Sequence, residues 1–348
     1  MAEKTAQSTA VLATGRQPAT PDRLMALGTG YWVAQILHAA AHYKFFTLIA
    51  NGKTTADAIA GAAQTDPRGT RMVLDSLVAL EVLTKRGDHY GLAPDADAFL
   101  VEGRPGNLAP MFDGNTALTY HDWAGLTDRL RNPSLLRTYR DLDKGAEFFT
   151  KLIRAIIPLG IPPADAVAGH LGIGTTRKGA RILDVGVGGA AWSIPFARHD
   201  PNARITGFDM AEVLTETRQI VKEFGVDQQY TFKAGNLLQD DFGDSAFDVV
   251  VLGNICHGLN ADQNLDLLTR CYRALAPGGR LVIADMVPNE ERTGPPFPVL
   301  FAVNMFVMGG EDTYPLSDYR MWLGVAGYRD VEAFDTRRSH SPVIIASR

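Results

Sequence analysis

Arg181-Ile182-Leu183-Asp184-Val185-Gly186-Val187-Gly188-Gly189-Ala190 is the stretch whose reading decides the fold. Ile182, Leu183 and Val185 form a short apolar run suited to a buried strand, and the glycines that follow set a tight turn. A helix is expected to begin near Ser193-Ile194-Pro195-Phe196. Glycine is needed in the turn because the backbone must bend sharply and admit a ligand with no Cβ in the way. About one βα unit later, Ala203-Arg204-Ile205-Thr206-Gly207-Phe208-Asp209 gives a second strand that also ends in an acid. A glycine turn followed by an acid at the next strand tip is how a parallel α/β sheet holds a nucleoside, the carboxylate taking the ribose hydroxyls. The dinucleotide fingerprint needs glycine at its first, third and sixth positions. Counted from Gly186, the third is Gly188 but the sixth is Ala191, so a mononucleoside ligand is favoured over a nicotinamide dinucleotide.

The alternation of strand and helix continues from there. Residues 230–236 form a strand with its tip at Asn236. Residues 247–252 lack alternation and read as a strand buried on both faces, followed by Gly253-Asn254-Ile255-Cys256-His257. Residues 264–275 form a helix stopped by Pro277-Gly278-Gly279, and 280–285 a fifth strand with Asp285 at its tip. After a helix over 319–327, two β-rich runs at 329–334 and 342–346 close the chain as a hairpin, which is not how a dinucleotide domain ends.

Upstream, residues 22–104 read as a small, mostly helical domain. Val33, Ile36, Leu37, Ala40 and Ala41 recur at helical spacing. Thr54-Thr55-Ala56-Asp57 offers a Thr-x-x-Asp cap, and Asp66-Pro67 starts a helix through Met72, Leu74, Leu77 and Leu80. Residues 82–92 read as a hairpin turning at Arg86-Gly87-Asp88, which completes the outline of a winged helix. Lys and Arg do not gather on its second helix, so dimerisation is expected rather than DNA binding. Residues 105–175 supply linking helices around Tyr120-His121-Asp122-Trp123 and 148–155, joined near Pro133 and Pro158, and are expected to form a lid or pocket wall.

The bulk properties narrow the function classes. The chain has 348 residues, 46% hydrophobic and 21% charged, enough for two domains. A net charge of -5 argues against bulk nucleic acid as a partner. Cys256 and Cys271, the two cysteines, exclude a disulfide framework or a cysteine-rich zinc site. The apolar run 297–308 is too short to cross a membrane and is broken by Asn304, so no membrane partner is expected. Residues 1–21 are rich in Ala, Thr, Ser and Gln without the apolar core of a signal peptide; a disordered tail and a cytoplasmic location are the expectations. His38 and His42 stand four apart on a helix without an acid or cysteine close in sequence, so packing or a dimer contact is expected there and no metal.

Taken together, these residues resemble a class I S-adenosylmethionine-dependent methyltransferase. More narrowly, the chain is similar to the small-molecule O-methyltransferases with an N-terminal winged-helix dimerisation domain, among them caffeate, acetylserotonin and antibiotic-tailoring types. The resemblance rests on Asp184-Val185-Gly186-Val187-Gly188-Gly189-Ala190, on Ala276-Pro277-Gly278-Gly279-Arg280-Leu281, and on Gly309-Gly310-Glu311-Asp312 and Ala326-Gly327-Tyr328, in that order and spacing. It implies an α/β fold, a Rossmann-like sheet over 176–348 with a terminal antiparallel hairpin, preceded by the winged-helix domain. It also implies S-adenosyl-L-methionine as cofactor, a small-molecule acceptor and a homodimer formed through the N-terminal domain.

Carried over position by position, the resemblance assigns cofactor contacts to Asp184, Gly186, Gly188, Asp209, Met210, Asn236 and Leu237. Asn236 stands where the family carries an aspartate for the adenine amino group; its amide still offers an acceptor. His257 stands where the family has its general base, with Asp285 and Asp312 at the places of acidic partners, although Gly258-Leu259 replaces the usual acid and tryptophan after it. An imidazole can take a hydroxyl proton near neutral pH, and a carboxylate on its other nitrogen fixes the tautomer. Acceptor contacts fall to His121, Trp123, Asn254, Phe301 and Met305. Methyl transfer to a hydroxyl of an aromatic or polyketide-like acceptor is expected, with transfer to carbon through an enolate, or a non-catalytic cofactor- or DNA-binding protein, as alternatives.

Overall fold

The structure, a computed structural model, describes residues 20–115, 119–132 and 145–348, with only the backbone for 115 and 145–151. Of the expected tail, residues 1–19 lie outside the described residues, as do Pro133 and the side chains of Phe148 and Phe149. The chain divides into two compact units between Tyr120 and His121.

The first unit runs α1 (Asp22–Gly28), α2 (Gly30–His42), α3 (Phe45–Ala50), α4 (Ala56–Ala63), α5 (Pro67–Ala79), β1 (Leu83–Arg86), β2 (His89–Leu92), α6 (Pro94–Phe99) and α7 (Ala109–Asn115). The helical spacing of Val33 to Ala41 falls within α2, and the chain breaks after it at Lys44, which takes a left-handed φ of 55° before α3. The cap of α4 falls one residue later than the sequence pattern suggests: Thr55, not Thr54, accepts from the Ala58 N–H. Asp66 caps α5 as expected, its Oδ1 accepting from Gly69 N at 2.6 Å with Pro67 in the first turn. β1 and β2 pair antiparallel with Arg86 opposite His89, so Gly87-Asp88 is the turn. Phe46, Ile59, Leu74 and Leu77 are fully buried at the centre of this unit. Each such side chain stabilises the fold by roughly 1.5–3 kcal/mol relative to exposure. By contrast α1 and α2 leave an apolar strip in the open, with Leu24 65% and Trp32 57% exposed beside Met25, Leu27, Tyr31 and Val33. His42, which has no acid near it in sequence, meets Asp113 of α7 at 2.8 Å.

The second unit opens with α8 (His121–Ala124), α9 (Leu126–Arg131) and α10 (Gly145–His170). It continues through β3 (Arg181–Val185), α11 (Ile194–His199), β4 (Arg204–Asp209), α12 (Ala211–Glu223), β5 (Tyr230–Ala234) and β6 (Phe247–Gly253). The remaining elements are α13 (Ala261–Ala274), β7 (Leu275–Ala284), α14 (Pro296–Met308), α15 (Leu316–Ala326), β8 (Arg329–Phe334) and β9 (Val343–Ser347). The sheet order is β5-β4-β3-β6-β7-β9-β8. β3 to β7 are parallel; β9 runs antiparallel to both β7 and β8, so β8 points the same way as the parallel strands. Successive residues of the central strands feed opposite cores: Ile182, Val249 and Val251 enter one, Leu183, Val185, Val250 and Leu252 the other. That period of two is why these strands read as unbroken apolar runs. β7 begins at Leu275, earlier than the Pro-Gly-Gly sequence suggests, because Leu275 pairs with Phe247 ahead of an irregularity before Val249.

Leu152–His170, unlike the shorter run 297–308, is apolar and long enough to cross a membrane by length and composition. Arg154 and Asp165 interrupt it, which is why a search for continuous apolar runs passes it over. Its Ala164, Val167 and Ala168 are fully buried, and Ile153 and Ile157 belong to the same core cluster as Val187 and Ala190 of the glycine turn.

Candidate active site

Strand order reverses at β3, which has β4 on one side and β6 on the other. Ligands of such sheets bind in the crevice outside the carboxyl ends of the strands at this switch point. Gly186 and Gly188, just past β3, have φ of 70° and 46°. Non-glycine residues pay roughly 1–2 kcal/mol for such a backbone. Space is tight as well: a Cβ on Gly186 would stand 2.3 Å from Ile255 Cδ1, and one on Gly188 3.2 Å from Ile153 Cγ2, so either neighbour would have to shift. Ala190, which closes the motif, is fully buried and held at φ 54°.

Asp209 ends β4 and is tied to this turn. Its Oδ2 accepts from Gly188 N at 2.9 Å and its Oδ1 from Met210 N at 2.8 Å. Burial raises its pKa, against the opposing pull of these two N–H groups. Met210 stays 41% exposed beside it. Asp184 is placed differently: its carboxyl lies beneath the turn, where Oδ2 accepts from Ser193 Oγ at 2.5 Å, and Tyr230 donates to Ser193 at 3.0 Å. Burial, with the nearby Asp209 charge adding to it and the Ser193 bond opposing, pushes Asp184 up to about 7. Asn236 is exposed, and its Oδ1 accepts from Leu238 N at 2.9 Å. Leu237 packs partly buried, and its carbonyl accepts from Arg270 at 2.8 Å.

The next strand pair delivers an acid–base couple. Gly253 of β6 lies opposite Ala284 of β7, so the residues that follow both strands emerge at the same end of the sheet. His257 Nδ1 lies 2.7 Å from Asp285 Oδ1. That carboxylate also accepts from His257 N at 3.1 Å and Met286 N at 2.7 Å. The Asp285 side chain is fully buried, while the His257 ring keeps 15% exposure. With Nδ1 held by the carboxylate, Nε2 is the nitrogen left to act on a substrate. Asp312 is not brought onto the imidazole: its carboxylate accepts from Arg292 at 2.8 Å and Thr313 N at 2.7 Å. Neighbouring Glu311 instead reaches His257 through the backbone, its N–H donating to the His257 carbonyl at 3.3 Å. Arg292 lies 20 residues from Asp312, and no local pattern marks it.

α14 forms the wall beside the couple. Phe301 meets the His257 ring edge to face at 5.1 Å between centroids, and Met305 is buried. Trp123 Nε1 of α8 donates to Asn304 Oδ1 of α14 at 2.9 Å. The buried guanidinium of Arg129 from α9 donates to the Val307 carbonyl at 3.1 Å. Asn304 was legible only as a polar break in an apolar run; a lone polar residue in such a helix calls for a partner, and Trp123 is that partner. His121 is exposed on α8, and Asn254 follows β6 with a left-handed φ of 60°.

A parallel sheet of this order, with a glycine turn and an acid at the switch point and a closing antiparallel strand, defines the methyltransferase class of α/β proteins. Comparison with known proteins gives the family. Residues 176–329 match the O-methyltransferase domain and residues 25–102 the O-methyltransferase dimerisation domain; the chain belongs to the O-methyltransferase family. It is 28% identical to the tetracenomycin polyketide synthesis 8-O-methyl transferase TcmO of Streptomyces glaucescens, over 89% of this chain and 92% of that one. It is also 28% identical to the N,N-dimethyltransferase OxyT of Streptomyces rimosus, over 88% and 90%. The fold is shared with human N-acetylserotonin methyltransferase, solved in complex with SAM, at a TM-score of 0.83 and 23% identity over 96% of this chain and 99% of that one.

Proposed function

We propose that this protein transfers a methyl group from S-adenosylmethionine to a hydroxyl of a small aromatic or polyketide-like acceptor, with His257 as general base. The carrying observation is the His257–Asp285 couple at the same sheet end as the Gly186 turn. The residues present fit the cofactor: Gly186 and Gly188 keep the turn free of side chains where their backbone has a left-handed φ, and Asp209 stands at the next strand tip to take ribose hydroxyls. When bound, S-adenosylmethionine supplies an electrophilic methyl on its sulfonium. Asp285 holds the Nδ1–H tautomer of His257 and offsets the charge of the imidazolium. His257 Nε2 takes the acceptor's hydroxyl proton, leaving an oxyanion that attacks far better than the neutral hydroxyl. Phe301 and Met305 give an acceptor ring an apolar surface beside that base. The similarity to TcmO supports a polyketide-like acceptor. The dimerisation-domain match and the open strip on α1 and α2 support a homodimer formed through the N-terminal unit.

A second reading, transfer to an amine, draws on the similarity to OxyT. The two part at His257, because a neutral amine attacks with its own lone pair and needs no prior deprotonation. The first test is calorimetric titration of the protein and a Gly186→Trp variant with S-adenosylhomocysteine, then of hydroxylated aromatics with wild type and His257→Ala. Binding lost in the Gly186 variant and turnover lost in the His257 variant support the reading. Absence of S-adenosylhomocysteine binding to folded protein would sink it, and turnover of an amine undiminished in His257→Ala would move the acceptor class to nitrogen.

A further inference from the structure

At the opposite end of the sheet lies a second concavity that the methyl-transfer chemistry does not use. It has a volume of about 280 Å³ and is lined by Thr176, Arg177, Lys178, Asp248, Gly278 and Gly279 among others. These residues sit at the amino ends of β3, β6 and β7. The length of β3, five residues, separates this cavity from the glycine turn, roughly 17 Å at strand rise.

Its electrostatics are unbalanced. Asp248, the acid of the lining, is committed to Arg181, accepting from its backbone N at 2.9 Å, from Nη2 at 2.8 Å and from Nε at 3.2 Å. Its charge is therefore largely neutralised before it can serve the cavity. Arg177 is half-buried and has no hydrogen-bond partner for its guanidinium among the described residues. Burial lowers its pKa first and the positive charge of Arg280 lowers it further, with Asp248 only partly opposing. Arg280 is itself half-buried, and among the described residues its guanidinium bonds the Gly278 carbonyl alone, at 3.4 Å. Two guanidiniums thus repel each other across partly desolvated ground, on a rigid frame. Arg177 is pinned by its backbone N–H to Gly172 and by its carbonyl to Gly174, and Arg280 pairs with Val249 in the sheet. Such a cost is offset when an anion enters.

The shape selects the anion. Planar guanidinium forks match tetrahedral oxyanions bidentately, and Lys178 adds donors for further oxygens. A carboxylate, with two oxygens, satisfies fewer of them. The volume lies just under the range of ordinary small-molecule pockets, which suits a compact group and not a polymer. Because the whole chain carries a net charge of -5, capture has to be local.

We propose that Arg177 and Lys178, which line the cavity, with Arg280 beside them on the lining residue Gly278, bind a phosphoryl group, as free diphosphate or the diphosphate of a small organic ester, at a site separate from methyl transfer. The full chain would be titrated calorimetrically with inorganic pyrophosphate at constant ionic strength, beside ADP and citrate. Arg177→Gln and Arg280→Gln would be compared with it, with cooperative thermal unfolding as the check that each is folded. Saturable pyrophosphate binding, weakened tenfold or more in each variant and weak for citrate, supports the proposal. Within that result, ADP binding tighter than pyrophosphate identifies an organic ester as the source, and equal binding the inorganic anion. Absence of pyrophosphate binding to folded wild type, equal affinity for citrate, or affinity unchanged in both arginine variants overturns it.

Discussion

Replacing Asp285 by Asn tests the proposed chemistry while barely changing side-chain volume. The carboxylate accepts three N–H groups: Oδ1 takes those of the His257 ring and Met286, and Oδ2 that of the His257 backbone. An amide has one acceptor oxygen, so one of two arrangements follows. If its oxygen keeps the Oδ1 position, its NH2 faces the His257 backbone N–H, a buried donor–donor conflict worth roughly 1–3 kcal/mol. If it flips, the NH2 faces His257 Nδ1 and forces the tautomer that carries its proton on Nε2, the nitrogen needed as base. In either arrangement the imidazolium formed on proton abstraction loses its buried counter-charge. The expected fall in kcat is about 10²–10⁴-fold, the range of positioned general-base catalysis, and the S-adenosylhomocysteine Kd should stay within about threefold, on the view that uniform binding is untouched. Steady-state kinetics with a hydroxylated acceptor, calorimetry with S-adenosylhomocysteine and thermal unfolding would be run on the same preparation. A folded Asp285→Asn enzyme with kcat within about threefold of wild type would refute the couple as the source of base catalysis.

Asp184 predicts a pH dependence of stability. Its pKa rises from about 3.9 in the unfolded chain to about 7 in the fold. The folded state therefore keeps a proton that the unfolded state has lost between these values, so the stabilisation present below about pH 4 is lost as pH rises to about 7, on the order of 4 kcal/mol at most. Denaturant unfolding of wild type and Asp184→Asn at pH 5 and pH 8 should show a steeper loss in wild type; parallel slopes would contradict the burial argument. Gly186→Ala should lower the melting temperature and weaken S-adenosylhomocysteine binding, because it adds roughly 1–2 kcal/mol of left-handed strain and places a Cβ 2.3 Å from Ile255; unchanged values in both assays would show that the turn relaxes freely. Trp32→Asp, on the open strip of α2, should shift sedimentation equilibrium from dimer towards monomer, and an unshifted dimer would place the interface elsewhere.

The sequence by itself determined what depends on local periodicity and on backbone chemistry. The apolar runs at 182–185 and 247–252 are strands because alternate residues serve two cores, and a run of four to seven residues between turn signals carries that information in full. The Gly186 turn, the acid after β4, the Asp66-Pro67 cap and the Gly87 hairpin are equally local, since each answers a backbone demand within a few residues. Small offsets remained where neighbours compete: Thr54 and Thr55 are both able to cap α4, and only chain direction picks Thr55.

Tertiary structure decided which side chains meet. Asp285 and Asp312 both looked like partners for His257, and sequence had no means to rank them. Parallel pairing of β6 with β7 brings Asp285 onto the ring, whereas Asp312 pairs with Arg292. Asp184 and Asp209 both end strands beside the glycine turn, yet one carboxyl faces beneath it into Ser193 and the other bonds the turn's own N–H. Trp123 and Asn304 are 181 residues apart and joined by a single hydrogen bond. Partnerships of that kind depend on where whole elements pack, and packing is a property of many distant residues at once rather than of any window of the chain.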